Sequence, residues 1–202
     1  MPSRSEARSQ CPVCDNANIQ TRLIESALSY SEGPGLDEQT HCDDAIHFSC
    51  TACGQFVVTL CDCVNLVSTR RKGKWNSFQA SALLREQTIA KLPPFWLRHG
   101  MDPYGPLKWL SSLAVVNLPE LLQRWPKSIP ERIDRTLCNI GRLSSHAGQH
   151  VPMGDEDFAL AFAEIVAETI FVRRALIDEG FLDHLLPEGR TTRLDVRLTP
   201  KG

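Results

Sequence analysis

The sequence predicts an α+β protein, and three observations carry that reading. Two Cys-x-x-Cys turns, Cys11-Pro12-Val13-Cys14 and Cys50-Thr51-Ala52-Cys53, are separated by 35 residues, and the second is flanked by β-branched and aromatic runs. A central segment concentrates basic charge and is then broken by prolines. The last third switches between helical spacing and alternation of period two. The 202 residues divide into 1–66, 67–127 and 128–202, small units by the usual measure of about 100–200 residues per domain.

The first unit opens without an apolar leader. Met1 to Gln10 alternate small polar residues with Arg4, Glu6 and Arg8, and apolar runs such as Leu113 to Val116 fall far short of the roughly 18 residues that span a bilayer. The expectation is a soluble, cytoplasmic chain without membrane contact, in which cysteines bind metal in preference to forming disulfides and spacing decides which of the eight do so. Two Cys-x-x-Cys turns offer four thiolates to a tetrahedral Zn²⁺, so Cys11, Cys14, Cys50 and Cys53 are the expected ligands and zinc the expected cofactor. Four protein ligands leave no place for water, which implies a folding role worth on the order of 10 kcal/mol or more. His47-Phe48-Ser49 and Gln55 to Leu60 read as strands around the second turn, completing a zinc ribbon, a small β unit. The spacer, with Gly33-Pro34-Gly35 and several acids, reads as an inserted exposed loop. Cys42, His47, Cys61 and Cys63 are candidates for a second site or for replacing one ligand. The spacing of Cys61-Asp62-Cys63 favours the plainer reading of free thiols near a strand end.

The middle unit is helical. Residues 1–63 carry 3 basic and 9 acidic side chains and residues 64–108 carry 8 and 2, an asymmetry hidden by the formal net charge of -2. Phosphate contact is therefore expected first at Arg70, Arg71, Lys72 and Lys74, with Trp75 and Phe78 placed to stack; the plainer reading is a solvated linker. Asn76 caps a helix over 77–91 that Pro93-Pro94 stops. Residues 95–129, interrupted by Pro103, Pro106, Pro119 and Pro126 and holding Trp96, Trp109 and Trp125, read as short packed helices.

In the third unit, Ser128-x-x-Glu131 with Pro130 is a capping box, and Ile133, Leu137 and Ile140 extend a helix over about 130–145. Cys138 reads as a small core residue rather than a nucleophile. Phe158, Leu160 and Phe162 alternate with alanines as in a strand, and Ile165 to Leu176 return to helical spacing before Gly180. Phe181 to Leu186 and Thr191 to Thr199 flank Pro187-Glu188-Gly189 as a hairpin. Helix, strand, helix, hairpin is winged-helix-like, although the short helix preceding a recognition helix is not evident. Arg173 and Arg174, with Arg190, Arg193 and Arg197 of the wing, form a second candidate nucleic-acid surface. Glu164, Glu168, Asp178 and Glu179 suit a protein partner at least as well.

No phosphate-binding glycine loop, H-E-x-x-H or G-x-S-x-G occurs, so no catalytic residue is assigned and the chain reads as no enzyme. His99, His146 and His150 could pair with Asp102, Asp155 or Asp157 only as scattered loop residues.

Cys11-Pro12-Val13-Cys14, Cys50-Thr51-Ala52-Cys53-Gly54-Gln55-Phe56, Leu83 to Gln87, Pro130 to Arg135, Asp157 to Ala161 and Leu198 to Gly202 carry a resemblance. The chain resembles the zinc-ribbon plus winged-helix-like region of bacterial proteins that look like anti-phage defence effectors with a further enzymatic domain. The resemblance implies a sensing or regulatory module, with the effector on a separate polypeptide or cut away. The expected function is a non-enzymatic zinc-binding regulatory or sensor protein that binds nucleic acid in bacterial defence. The alternative is a protein–protein adaptor that holds or regulates a separate effector enzyme.

Overall fold

Ile46, Phe48 and Cys50 recur at every second position, as do Phe56 and Val58, and each set turns to one face of a strand. In a computed structural model, which describes residues 9–24, 45–99, 113–146, 148–185 and 195–201, these strands belong to a mixed α+β architecture. β2 (Ala45–Cys50) and β3 (Gly54–Thr59) pair antiparallel across the second cysteine turn, and β1 (Ile19–Ile24) lies antiparallel to β2. Phe48 is opposite Phe56 in register, and their rings stack at 5.3 Å with 8° between the planes. Both are fully buried, and such burial stabilises by about 2–3 kcal/mol per ring.

The sheet continues where helices were expected. β4 (Phe95–Arg98) and β5 (Val115–Asn117) add to it in parallel, giving the order β1-β2-β3-β4-β5. The helical reading of 95–129 is thereby corrected for these two segments. Phe95, Trp96 and Leu97 are all buried, so β4 is covered on both faces and shows no alternation from which a strand could be read. α3 (Leu118–Gln123) is helical, whereas Pro103, Pro106 and Trp109 lie outside the described residues.

A parallel partner requires a long crossover, and α1 (Leu60–Arg71) and α2 (Ser77–Ile89) supply it between β3 and β4. The Thr59 hydroxyl caps α1, accepting from the Asp62 N–H at 3.1 Å and donating to Asp62 Oδ2 at 2.9 Å. Gly73, at φ +63°, ends that helix and donates its N–H to the Arg70 carbonyl at 2.8 Å. Asn76 caps α2, its Oδ1 accepting from Phe78 and Gln79 N–H at 3.0 and 3.3 Å. α1 crosses the 66/67 division drawn from the sequence. One core takes Phe48 and Phe56 from the sheet, Leu66 from α1, Leu84 from α2 and Leu121 from α3.

α4 (Ile129–Leu143) coincides with the expected capped helix. Ser128 Oγ accepts from the Glu131 N–H at 3.3 Å, and the Glu131 carboxylate accepts from the Lys127 N–H at 2.9 Å. β6 (His150–Pro152), α5 (Phe158–Ala161), α6 (Val166–Asp178), β7 (Leu182–Leu185) and β8 (Asp195–Leu198) follow, with β8 antiparallel between β6 and β7. The hairpin stands at β7 and β8, while its connection, including Arg190 and Arg193, lies outside the described residues. Residues 158–161 form a helical turn rather than a strand. Leu160, Ala161, Phe162 and Ala163 are all buried, so large and small residues alternate without inside and outside alternating, and Phe162 at φ +49° closes the turn.

Val151, Leu160, Val172, Leu176, Leu182 and Val196 make the second core. Cys138 is exposed, not a core residue, because the inward stripe of α4 runs through Thr136, Asn139 and Ile140. Arg135 joins the two cores: its guanidinium sits 4.4 Å from the Phe162 ring centre, pairs with Glu86 of α2 and donates to the Arg124 carbonyl at 2.6 Å. No helix of the described residues is long and apolar enough to cross a membrane. Arg135→Ala is expected to lower stability by about 1–3 kcal/mol, read by urea denaturation, since it removes both a charged hydrogen bond and a ring contact.

Candidate metal centre

Cys11-x-x-Cys14-Asp15 and Cys50-x-x-Cys53-Gly54 fold into matching turns. In each, the residue after the second cysteine takes left-handed backbone, Asp15 at φ +68° and Gly54 at φ +74°. The backbone amides of Asn16 and Cys53 help to lower the Cys14 and Cys50 thiols respectively, as N–H dipoles near sulfur do. The Asp15 N–H closes the first turn onto the Cys11 carbonyl at 2.9 Å. Register places Ile19 of β1 opposite Cys50, so the turn preceding β1 comes alongside the turn joining β2 to β3.

The four sulfur atoms lie within 4.8 Å of one another, with Cys11–Cys53 and Cys14–Cys50 both at 3.6 Å. Thiolates held about 2.3 Å from one ion at tetrahedral corners stand about 3.8 Å apart. The spacing suits a shared ion and far exceeds the roughly 2.05 Å of a disulfide. Cys11, Cys50 and Cys53 are buried and Cys14 is half-buried. Burial pushes the Cys53 thiol up, and hydrogen bonding to Cys14 raises Cys11. Hydrogen bonds from Cys11 hold Cys14 and Cys50 down. A dication bound among four sulfurs favours the thiolate form of each.

Both flanking helices grip this cluster. Ser81, Arg85 and Thr88 lie along one stripe of α2. Ser81 Oγ is 3.3 Å from Cys53 Sγ, Arg85 donates to the Thr51 carbonyl, and Thr88 Oγ1 accepts the Gln55 N–H at 2.7 Å. Gly54 is the point of closest approach: a Cβ there would stand 2.6 Å from Thr88 Cβ and closer still to its hydroxyl. From the opposite side Arg70 of α1 donates to the Cys11 carbonyl at 2.9 Å and pairs with Asp15 at 2.5 Å. Sequence reading missed these supports. Their only signal was polar residues at helical spacing between Leu83, Leu84 and Ile89 of a largely buried helix.

The expected phosphate-facing residues divide. The Arg70 guanidinium is occupied by the first cysteine turn, while Arg71, Lys72 and Lys74 are exposed around Gly73. Trp75 donates its indole N–H to Thr69 Oγ1 at 3.0 Å, and Phe78 packs edge-on to Phe158 at 5.4 Å. Arg173 is buried, bonding the Met153 carbonyl at 3.2 Å and Asp155 at 2.7 Å. Arg174 is exposed, Arg197 pairs with Asp183 at 3.3 Å, and Arg193 is outside the described residues. Among the described residues no second group of three ligating side chains converges. Cys61 is disulfide-bonded, which corrects its reading as a free thiol; Cys63 is buried, and Cys42 lies outside the described residues. His99 Nε2 bonds Thr69 Oγ1 at 2.7 Å, and Asp157 accepts the Gly154 N–H at 2.6 Å. Asp102 lies outside the described residues.

Comparison with protein-family models, with curated proteins and with solved structures returned no match.

Gly54→Ala is expected to cost about 2–4 kcal/mol in urea unfolding, combining backbone strain with overlap onto Thr88. Gly73→Ala, with nothing within 4 Å of the added atom, should cost only about 1 kcal/mol. Burial holds the Cys63 thiol protonated up to about 12. Brief alkylation of the native chain at pH 8 should therefore label exposed Cys138 and spare Cys63, as read by peptide mass spectrometry.

Proposed function

We propose that the chain is a non-enzymatic adaptor, stabilised by zinc, that docks a partner protein through α6 and so regulates a separate effector; bacterial defence is the setting its resemblance implies. One observation carries the reading. Ile165, Val166 and Phe171 are 58%, 43% and 52% exposed at and along α6, while Arg173, one of the two α6 arginines expected to face phosphate, is buried against Asp155. Large apolar side chains held in water on one helix favour burial against another protein, at about 25 cal/mol per Å² removed from solvent. A groove reader of DNA needs hydrogen-bond donors instead, and the outward residues of α6 offer Arg174 beside Asp178.

The order α4, β6, α5, α6, β7, β8 supports a winged-helix arrangement, with α5 as the short helix before the docking helix. Zinc is the ion of choice for four thiolates in a tetrahedron, and with every position taken by protein its role is structural.

A second reading rests on Arg71, Lys72 and Lys74, which stand exposed around one turn and suit a nucleic-acid backbone. Capture from native cells after nuclease treatment separates the two. Phe171→Arg is expected to abolish recovery of the partner, and neutralising Arg71, Lys72 and Lys74 together to leave it intact. Binding that vanishes with nuclease, or that weakens steeply with salt through those three cations, would instead establish the nucleic-acid reading.

A further inference from the structure

A groove of about 970 Å³ runs between the two cysteine turns, the first half of α2 and the segment leading into α5, reaching Val166 at the start of α6. Its chemistry is two-sided. Phe78 is 43% exposed although it packs on Phe158, and Val166 is 43% exposed, so two large apolar side chains left in water line one concavity together with Phe158. The same lining holds the run Asp155-Glu156-Asp157. Arg173 partly neutralises Asp155, and Asp157 accepts a backbone N–H, whereas Glu156 is exposed and forms no ion pair among the described residues. Arg85, the one cation among the described residues of the lining, is directed to the Thr51 carbonyl.

We infer that this groove is a peptide-binding site for a segment of the partner carrying a large apolar side chain next to lysine or arginine. The apolar side chains of the lining supply the burial that anchors such a segment, and its acidic run selects the segment's charge and repels a phosphate backbone. The size lies at the upper end of pockets that enclose ligands, suiting a few side chains rather than a folded domain. The inference rests on the adaptor reading and adds to it a second contact, separate from Phe171.

The test is selection of a random peptide display library on the immobilised, zinc-loaded chain, followed by binding measurements with the selected peptides made synthetically. Enriched sequences are expected to combine an aromatic or aliphatic residue with lysine or arginine. Their affinity should fall about tenfold or more with Glu156→Lys and with Phe78→Ala, and stay unchanged with Phe171→Arg. Glu156 is exposed and has no ion-pair partner among the described residues, so its substitution leaves the fold intact, and unchanged metal content confirms this for both variants. No enrichment, enrichment of acidic or uncharged peptides, or affinity indifferent to Glu156→Lys and Phe78→Ala overturns the groove assignment. That result leaves the adaptor reading to stand or fall on Phe171→Arg alone.

Discussion

Four sulfur atoms brought within 4.8 Å of one another are the constraint on which the N-terminal half depends. Three of the four sulfur-bearing residues are buried and Cys14 is half-buried, and sulfur atoms drawn this close are suited to sharing a cation. The turn geometry serves that convergence. Left-handed backbone at Asp15 and Gly54 reverses the chain directly after each pair.

The centre also reaches beyond the ribbon. Ser81, Arg85 and Thr88 fix α2 against the second turn, and Arg70 fixes α1 against the first. From α2, Glu86 pairs with Arg135 of α4, and Gln79 donates to Glu164 at 2.7 Å just before α6; Arg132 of α4 pairs with Glu168 at 3.2 Å. These contacts form a continuous route from the cysteines to the helix that carries Phe171. Side-chain contacts thus run without a break from the cysteine turns through α2 and α4 to α6.

Much of this was legible where local chemistry is strong. Paired Cys-x-x-Cys spacing identified the cluster, Asn76 and Ser128 announced their helices, and Pro187-Glu188-Gly189 lay between the two strands of the hairpin. Other elements were hidden for identifiable reasons. β4 is buried on both faces, so Phe95-Trp96-Leu97 had no period to read, and β5 is three residues long. α5 imitated a strand because alanine can be buried as deeply as phenylalanine. Arg70 and Arg173 looked like surface cations since a sequence does not reveal an inward ion pair; their partners Asp15 and Asp155 are 55 and 18 residues away.

The central claim is that metal held by the four cysteines organises α2 together with the sheet. Hydrogen–deuterium exchange on the metal-loaded chain, compared with the same chain after chelation, tests it most directly. The account predicts that removing the ion collapses amide protection in Ser77–Ile89 along with that in β2 and β3. Protection of that helix unchanged by chelation would contradict it.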